Sequence, residues 1–178
     1  MRREEPLKGP AMHTNTYVSP PGSEPDTAMA DAGCADYLTY RASGRQYGAP
    51  LHKVLELRRM DEVRPRHRGD AIIGTIMVHG IDVPVVDLPA MLGLSRPLQE
   101  NNAEVVILHS GDCLIGIAAE CVIDVTTLCA AQMRLAPAIR MEDGAHYLLG
   151  IGKIEQRVLA LLDVDKLLAD LHPLKFAA

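Results

Sequence analysis

Aromatic side chains are nearly missing from this 178-residue chain, which has no Trp, one Phe and five Tyr, together 3% of its residues. A core must therefore be filled by Leu, Ile, Val, Ala and Met, and aliphatic, β-branched packing is expected. The shortage leaves little with which to stack nucleic-acid bases. A formal net charge of -5 and a pI near 5.8 offer no general positive surface to a polyanion or an anionic bilayer. No apolar run approaches the roughly 18 residues needed to span a bilayer, and the first 30 residues lack the continuous apolar stretch of a signal peptide. The expectation is a cytoplasmic chain with no nucleic-acid partner and no direct membrane insertion.

Chemistry-bearing motifs are equally scarce. Cys34, Cys113, Cys121 and Cys129 contain no CxxC pair, and the last three recur every eight residues inside apolar segments, so they read as reduced, mostly buried thiols. The seven histidines form no HExxH or HxH pair, and no metal site is expected. There is no GxGxxG after a strand, no GxxxxGK[ST] and no GxSxG, which leaves nucleotide binding and hydrolysis without a starting residue. The scattered Glu56, Asp82, Asp87, Asp112, Glu120, Asp124 and Asp163 read as solvated caps and turn formers. The chain is expected to be no enzyme and to carry no cofactor.

What remains is 48% hydrophobic and 23% charged. A body of about 150 residues buries roughly 70% of the surface its unfolded chain would expose, so one core can form without staples. Residues 1–33 hold five of the twelve prolines and only Leu7 and Val18 from the set Leu, Ile, Val and Phe, too little apolar area to offset the entropy of ordering. The expected division is a disordered tail over 1–33, a folded body over 34–172 and a short end over 173–178.

Within the body, short apolar runs separated by Gly, Asp or Asn favour strands. YLTYRA (37–42), RQYGAP (45–50) and PLHKVLELRRM (50–60) read as a meander with one helical turn. GTIMVHG (74–80) and IDVPVVDL (81–88) form a pair, with Gly80 at a tight turn and Pro84 demanding an edge or bulge position. AEVVILHS (103–110), CLIGIAAE (113–120), CVIDVTTL (121–128), YLLGIGKI (147–154) and RVLALLDV (157–164) repeat the style, giving two groups of about five strands. VVIL and VLALL are apolar on both sides and belong between layers or inside closed barrels. PAMLGL is a helical turn from Pro89 to Gly93, and DVDKLLADL a short helix capped by Asp163 or Asp165, with Leu167, Leu168 and Leu171 facing the body.

Four segments in order, YGAPLHKVLELRRMDEV (47–63), GTIMVHGIDVPVVDLPAMLGL (74–94), VVILHSGDCLIGIAAECVIDVTTL (105–128) and YLLGIGKIEQRVLALLDVDKLL (147–168), resemble the blocks of the CheW chemotaxis coupling-protein family. The resemblance implies an all-β fold of two small five-stranded, SH3-like β-barrels packed side by side, with short helices and a C-terminal helix. It implies a non-catalytic adaptor that bridges the cytoplasmic helical hairpin of a chemoreceptor to the regulatory domain of a CheA-type histidine kinase, in receptor arrays at the inner membrane. The family's groove for the receptor helix maps onto Val54, Glu56, Gly116, Val122 and Val125. Core packing would also explain the three valines, and a bulge would explain Gly116; Glu56, between Leu55 and Leu57, needs solvent or a donor.

The chain departs from the family at Met77, Val78, His79 and Gly80, where Asn-Leu-Arg-Gly is usual, and at Pro89, where Arg is common. Because the family's Glu and Arg occur together, Glu56 and His79 are expected to pair across neighbouring strands, which adds His79 to the partner-binding set. Arg64, Arg66 and Arg68 crowd the next loop and suit a solvated turn or an acidic partner. Two other functions stay open: a divergent, non-coupling CheW-like protein with a different partner, and a small-molecule or second-messenger module that holds phosphates on the loop arginines.

Overall fold

The computed structural model describes residues 33–65, 71–94, 103–135 and 145–171. The expected tail, apart from Gly33, and the expected end over 173–178 lie outside these residues. Short punctuated apolar runs give β1 (Cys34–Ala42), β2 (Arg45–Pro50), β3 (Val54–Arg59), β4 (Arg64–Pro65), β5 (Ile72–Val78) and β6 (Ile81–Val86). The β5–β6 turn is His79–Gly80, both at positive φ (47° and 82°), a mirror-image turn that matches the twist of the strands it joins. Helix α1 (Leu88–Met91) starts where Ala90 N–H donates to Asp87 Oδ1 at 3.3 Å. Then come β7 (Glu104–Ser110), β8 (Cys113–Ala119), β9 (Cys121–Cys129), β10 (Met133–Leu135), β11 (Leu148–Ile154), β12 (Arg157–Leu162) and α2 (Val164–Leu171). Asp163 is the residue that caps α2, accepting from Lys166 N–H at 3.0 Å, and Leu167, Leu168 and Leu171 are buried as expected.

The strands make two sheets, β10-β11-β12-β2-β1-β9 and β3-β7-β8-β6-β5-β4. The all-β class and the pair of small barrels hold, but the grouping of strands differs from the sequence expectation. Each sheet has six strands, and the first sheet joins β1 and β2 to four strands from the far end of the chain. Periodicity identifies a strand without naming its partner, and Leu38 faces Val125 across a ladder no local pattern announces. The sixth member of each sheet is the stub β4 or β10. Each stub follows a 3₁₀ turn whose third residue, Glu62 or Gln132, accepts the N–H of Arg59 or Cys129 (3.2 and 3.0 Å). Pro84 lies inside its sheet, yet the β6–β8 pairing starts only at Val85, so its missing N–H costs no bond on that side.

Three apolar clusters hold the body. Ile76, Val78, Val83, Val85, Val105, Ile107 and Ala118 fill the interior of the second sheet, and Tyr37, Leu128, Leu159 and Leu161 that of the first. The largest lies between them and includes Leu38, Tyr40, Tyr47, Val106, Leu108, Ile115, Ile117 and Leu162 with the leucines of α2. β7 thus feeds two clusters from alternate residues, which is why VVIL is apolar on both faces. Helix α2 is also tied at its N-terminal turn, where Lys53 Nζ lies 2.7 Å from Asp165 and the Ser110 hydroxyl donates to the same carboxylate. These two donors, Lys53 first, hold the Asp165 carboxyl below its usual range.

The cysteines do not all remain thiols. Cys34 and Cys129 are joined in a disulfide, while Cys113 and Cys121 are free and half-exposed. The sequence expectation failed because the two bonded residues lie 95 positions apart and meet only through the β1–β9 ladder, where they face each other at its end.

Candidate functional site

Two edge strands, one from each sheet, carry four of the six residues assigned to partner binding, Val54, Glu56, Val122 and Val125. In β3, Val54 lies opposite Leu108 and Leu57 opposite Val106, both members of the shared central core. Directly opposed residues point to the same side of a sheet, so Val54 and Leu57 border that core. Val54 is partly covered, and Leu57 is 44% exposed. In β9, Val125 lies opposite Leu38 and Val122 opposite Tyr40, again core members. Val122 packs against the cluster while Val125 is 53% exposed. Two apolar side chains per strand thus line the margins of one core from two sheets.

Glu56 does not join them. The register slips between Val54 and Glu56, leaving Leu55 outside and placing Glu56 opposite Ile107 and Arg58 opposite Val105, on the side of the second sheet's interior. There Glu56 Oε2 lies 3.5 Å from His79 Nε2 and Glu56 Oε1 lies 3.7 Å from Arg58 Nε. Arg58 goes on to Glu62 at 2.9 Å and donates to the Met77 carbonyl at 3.4 Å. The Glu56–His79 contact expected from sequence is therefore present, but not between neighbouring strands. β7, β8 and β6 separate β3 from β5 in the sheet, and the curl of the barrel brings its ends together. His79 occupies the turn and is largely exposed.

Gly116 is a correction. It is buried in β8, and a Cβ there would come within 2.7 Å of Val105 Cγ1 and 3.1 Å of Val85 Cγ2. Its lack of a side chain lets Val105 and Val85 pack closely in the second barrel's interior. The loop arginines are less free than their density suggests. Arg59 makes a two-point contact with Asp61 (3.2 and 2.8 Å), and Arg64 lies 3.9 Å from Asp82. Arg66 and Arg68 lie outside the described residues.

A polar network missed in the sequence locks β9 from the other side. Arg157 donates from Nη1 to Asp124 (2.8 Å), from Nη2 to Thr39 (3.2 Å) and from Nε to Gln46 (3.0 Å), and the buried Thr39 hydroxyl donates to Asp124. Four strands, β12, β2, β1 and β9, are thereby crossed by one side chain. Arg157 and then Thr39 hold the Asp124 carboxyl below its ordinary value. A depressed carboxyl stabilises the fold above its unfolded pKa, and that contribution disappears as pH falls through the folded pKa. Arg157→Met is expected to cost about 1 kcal/mol at pH 7, the upper end for a partly exposed pair. Thermal unfolding at pH 7 and pH 3 checks it: the gap from the unchanged protein should narrow as pH falls below about 4, where the Asp124 carboxylate starts to be protonated, while the bonds to Thr39 and Gln46 keep it from vanishing.

Residues 36–172 match the CheW-like domain. The chain belongs to this family. It is 33% identical over 135 residues to the chemotaxis protein CheW of Klebsiella aerogenes, covering 75% of this chain and 81% of that protein. Identity to the CheW of Rhizobium meliloti is 21% over 134 residues, covering 75% and 86%. The crystal structure of the scaffolding protein TtCheW from Thermoanaerobacter tengcongensis has the same fold, with a TM-score of 0.64 at 18% identity over 73% of this chain and 84% of that one.

As a CheW-family chain it is an adaptor of chemotaxis and not an enzyme. Sequence reasoning missed Leu57 as a bordering residue. The signal was present in VLELRR, where charged and apolar residues alternate, but the one-residue slip at Leu55 that assigns the faces is visible only in the ladder. Among the described residues, no group of three or more His, Cys, Asp or Glu could hold a metal, and no helix is long and apolar enough to cross a membrane.

Proposed function

We propose that this CheW-family chain bridges the cytoplasmic helical hairpin of a chemoreceptor and the regulatory domain of a CheA-type histidine kinase, in the cytoplasm at receptor arrays. The folded body over 34–172 would do the binding, with 1–33 as a tail and 173–178 as an end outside it. The observation that carries this reading is the paired margin of Val54 and Leu57 on β3 and Val122 and Val125 on β9, apolar side chains of two sheets at the edge of one core. A helix laid along such a margin gains about 25 cal/mol per Å² of apolar surface covered, while charged residues set its direction.

Val122→Arg is the test. It adds a charged side chain at the margin, and it should weaken binding of a receptor-tip hairpin fragment more than tenfold while the circular dichroism spectrum stays native. Binding at unchanged affinity in a natively folded variant would remove the margin as the docking site.

A second reading, a non-coupling relative with a different partner, is favoured by His79 and Pro89. His79 already shares Glu56 with Arg58, and an imidazole cannot offer the permanent two-point donor of a guanidinium. The phosphate-binding reading of Arg64, Arg66 and Arg68 draws less support, because Arg64 is near Asp82.

A further inference from the structure

We infer that Cys34 and Cys129 form a reversible thiol–disulfide exchange site for glutathione-class thiols and disulfides, whose redox state sets the order of the far end of β9. The two cysteines are the first residue of β1 and the last of β9, opposite each other at the end of the ladder and both partly exposed, outside the three apolar clusters. β9 is an edge strand with a partner on one side. Its start is held where Val122 N–H donates to Glu104 Oε2 at 2.8 Å, and its middle where Arg157 and Thr39 hold Asp124. Beyond Asp124, Val125 and Thr127 are exposed. The ties there include ladder bonds, the Thr127 hydroxyl donating to Asp36 at 2.6 Å, Ala130 N–H donating to Gly33 O at 2.9 Å, the buried Leu128 side chain among Tyr37, Leu159 and Leu161, and the disulfide. Ends of edge strands open most readily, and a covalent tie there has the greatest effect on local order.

The inference rests on the cytoplasmic adaptor reading in one respect: in a reducing compartment an accessible disulfide is exchanged rather than kept. A glutathione thiolate attacks one sulfur, forms a mixed disulfide and releases the other cysteine as a thiolate, which takes a proton from water. A second glutathione thiolate attacks the mixed disulfide, releasing the second cysteine and glutathione disulfide. Two electrons pass from the two glutathione thiols to the protein, and glutathione disulfide drives the same steps backwards. Because Val125 lies four residues from Cys129 on the strand that loosens, reduction would also change the apolar margin offered to a helix.

The test uses the full chain with Cys113→Ser and Cys121→Ser, equilibrated in glutathione buffers from fully reduced to fully oxidised. Alkylation and mass spectrometry read the state of the pair, and amide hydrogen exchange reads β9. One two-electron transition within the buffer range is expected, with reduction speeding exchange at 125–128 at least tenfold more than it speeds exchange at 105–108 of β7, whose buried amides report only the loss of global stability. Cys34→Ser in the same chain should show the fast exchange in every buffer. A pair that stays reduced in glutathione disulfide, stays oxidised in excess glutathione, or leaves exchange equal in both states would overturn the inference. Neither readout involves a partner, so failure to bind a receptor fragment would count against the adaptor reading alone.

Discussion

Val106→Asp is expected to leave the protein unfolded at 25 °C. Val106 is fully buried in β7, between Leu57 of β3 and Ile117 of β8, in the cluster both sheets share. The substitution forfeits about 1.5–3 kcal/mol of apolar burial. It also places a carboxyl where its neighbours supply apolar surface and the flanking backbone groups are already engaged in ladders. Whether that group stays charged or takes up a proton, the cost is several kcal/mol, against a total stability of about 5–15 kcal/mol for a domain of this kind. Val125→Asp, at an exposed site, supplies the contrast and should remain folded. Loss of the cooperative thermal transition in the first variant and its retention in the second is the expected pattern; a folded Val106→Asp would mean the shared core is not continuous through β7.

Removing the covalent link is the next largest effect. The disulfide closes a loop of 95 residues in sequence separation, and on the chain-entropy account a loop of about that size contributes roughly 4–5 kcal/mol by restricting the unfolded chain. Cys34→Ser with Cys129→Ser should therefore lower the melting temperature by roughly 10 °C or more. Adding reductant to the unchanged protein should reproduce most of that loss and add nothing to the double variant. A shift below about 3 °C in calorimetry would show that the β1–β9 ladder keeps the ends together in the unfolded ensemble without the bond.

What could be read from residue order was local. The positions of β5, β6, α1 and α2 follow from Gly80, Pro89, Gly93 and Asp163, whose backbone demands or capping capacity act within a few residues. The facing of β7 was legible because four consecutive apolar residues have no solvated side to offer. Long-range pairing was not legible. Joining β1 to β9 decides both the disulfide and the surroundings of Val122 and Val125, and it depends on which ladders close a barrel rather than on any segment's own pattern. Gly116 was misjudged for a related reason, since a glycine's lack of a side chain looks the same in sequence whether it clears space for a partner or for Val105. Glu56 and His79 were correctly brought together, yet the bulge at Leu55 that turns Glu56 away from Val54 leaves no trace in composition.

The proposed bridge requires one chain to hold two partners at once. The most direct measurement is the mass of the complex, by light scattering on a sizing column, when the protein is mixed with a receptor-tip helical hairpin and a CheA-type regulatory domain. A bridging chain gives a three-component species with the unchanged protein, and loss of the hairpin from it with Val122→Arg. Two-component species only, with hairpin and kinase domain displacing each other, or no complex with either, would contradict it.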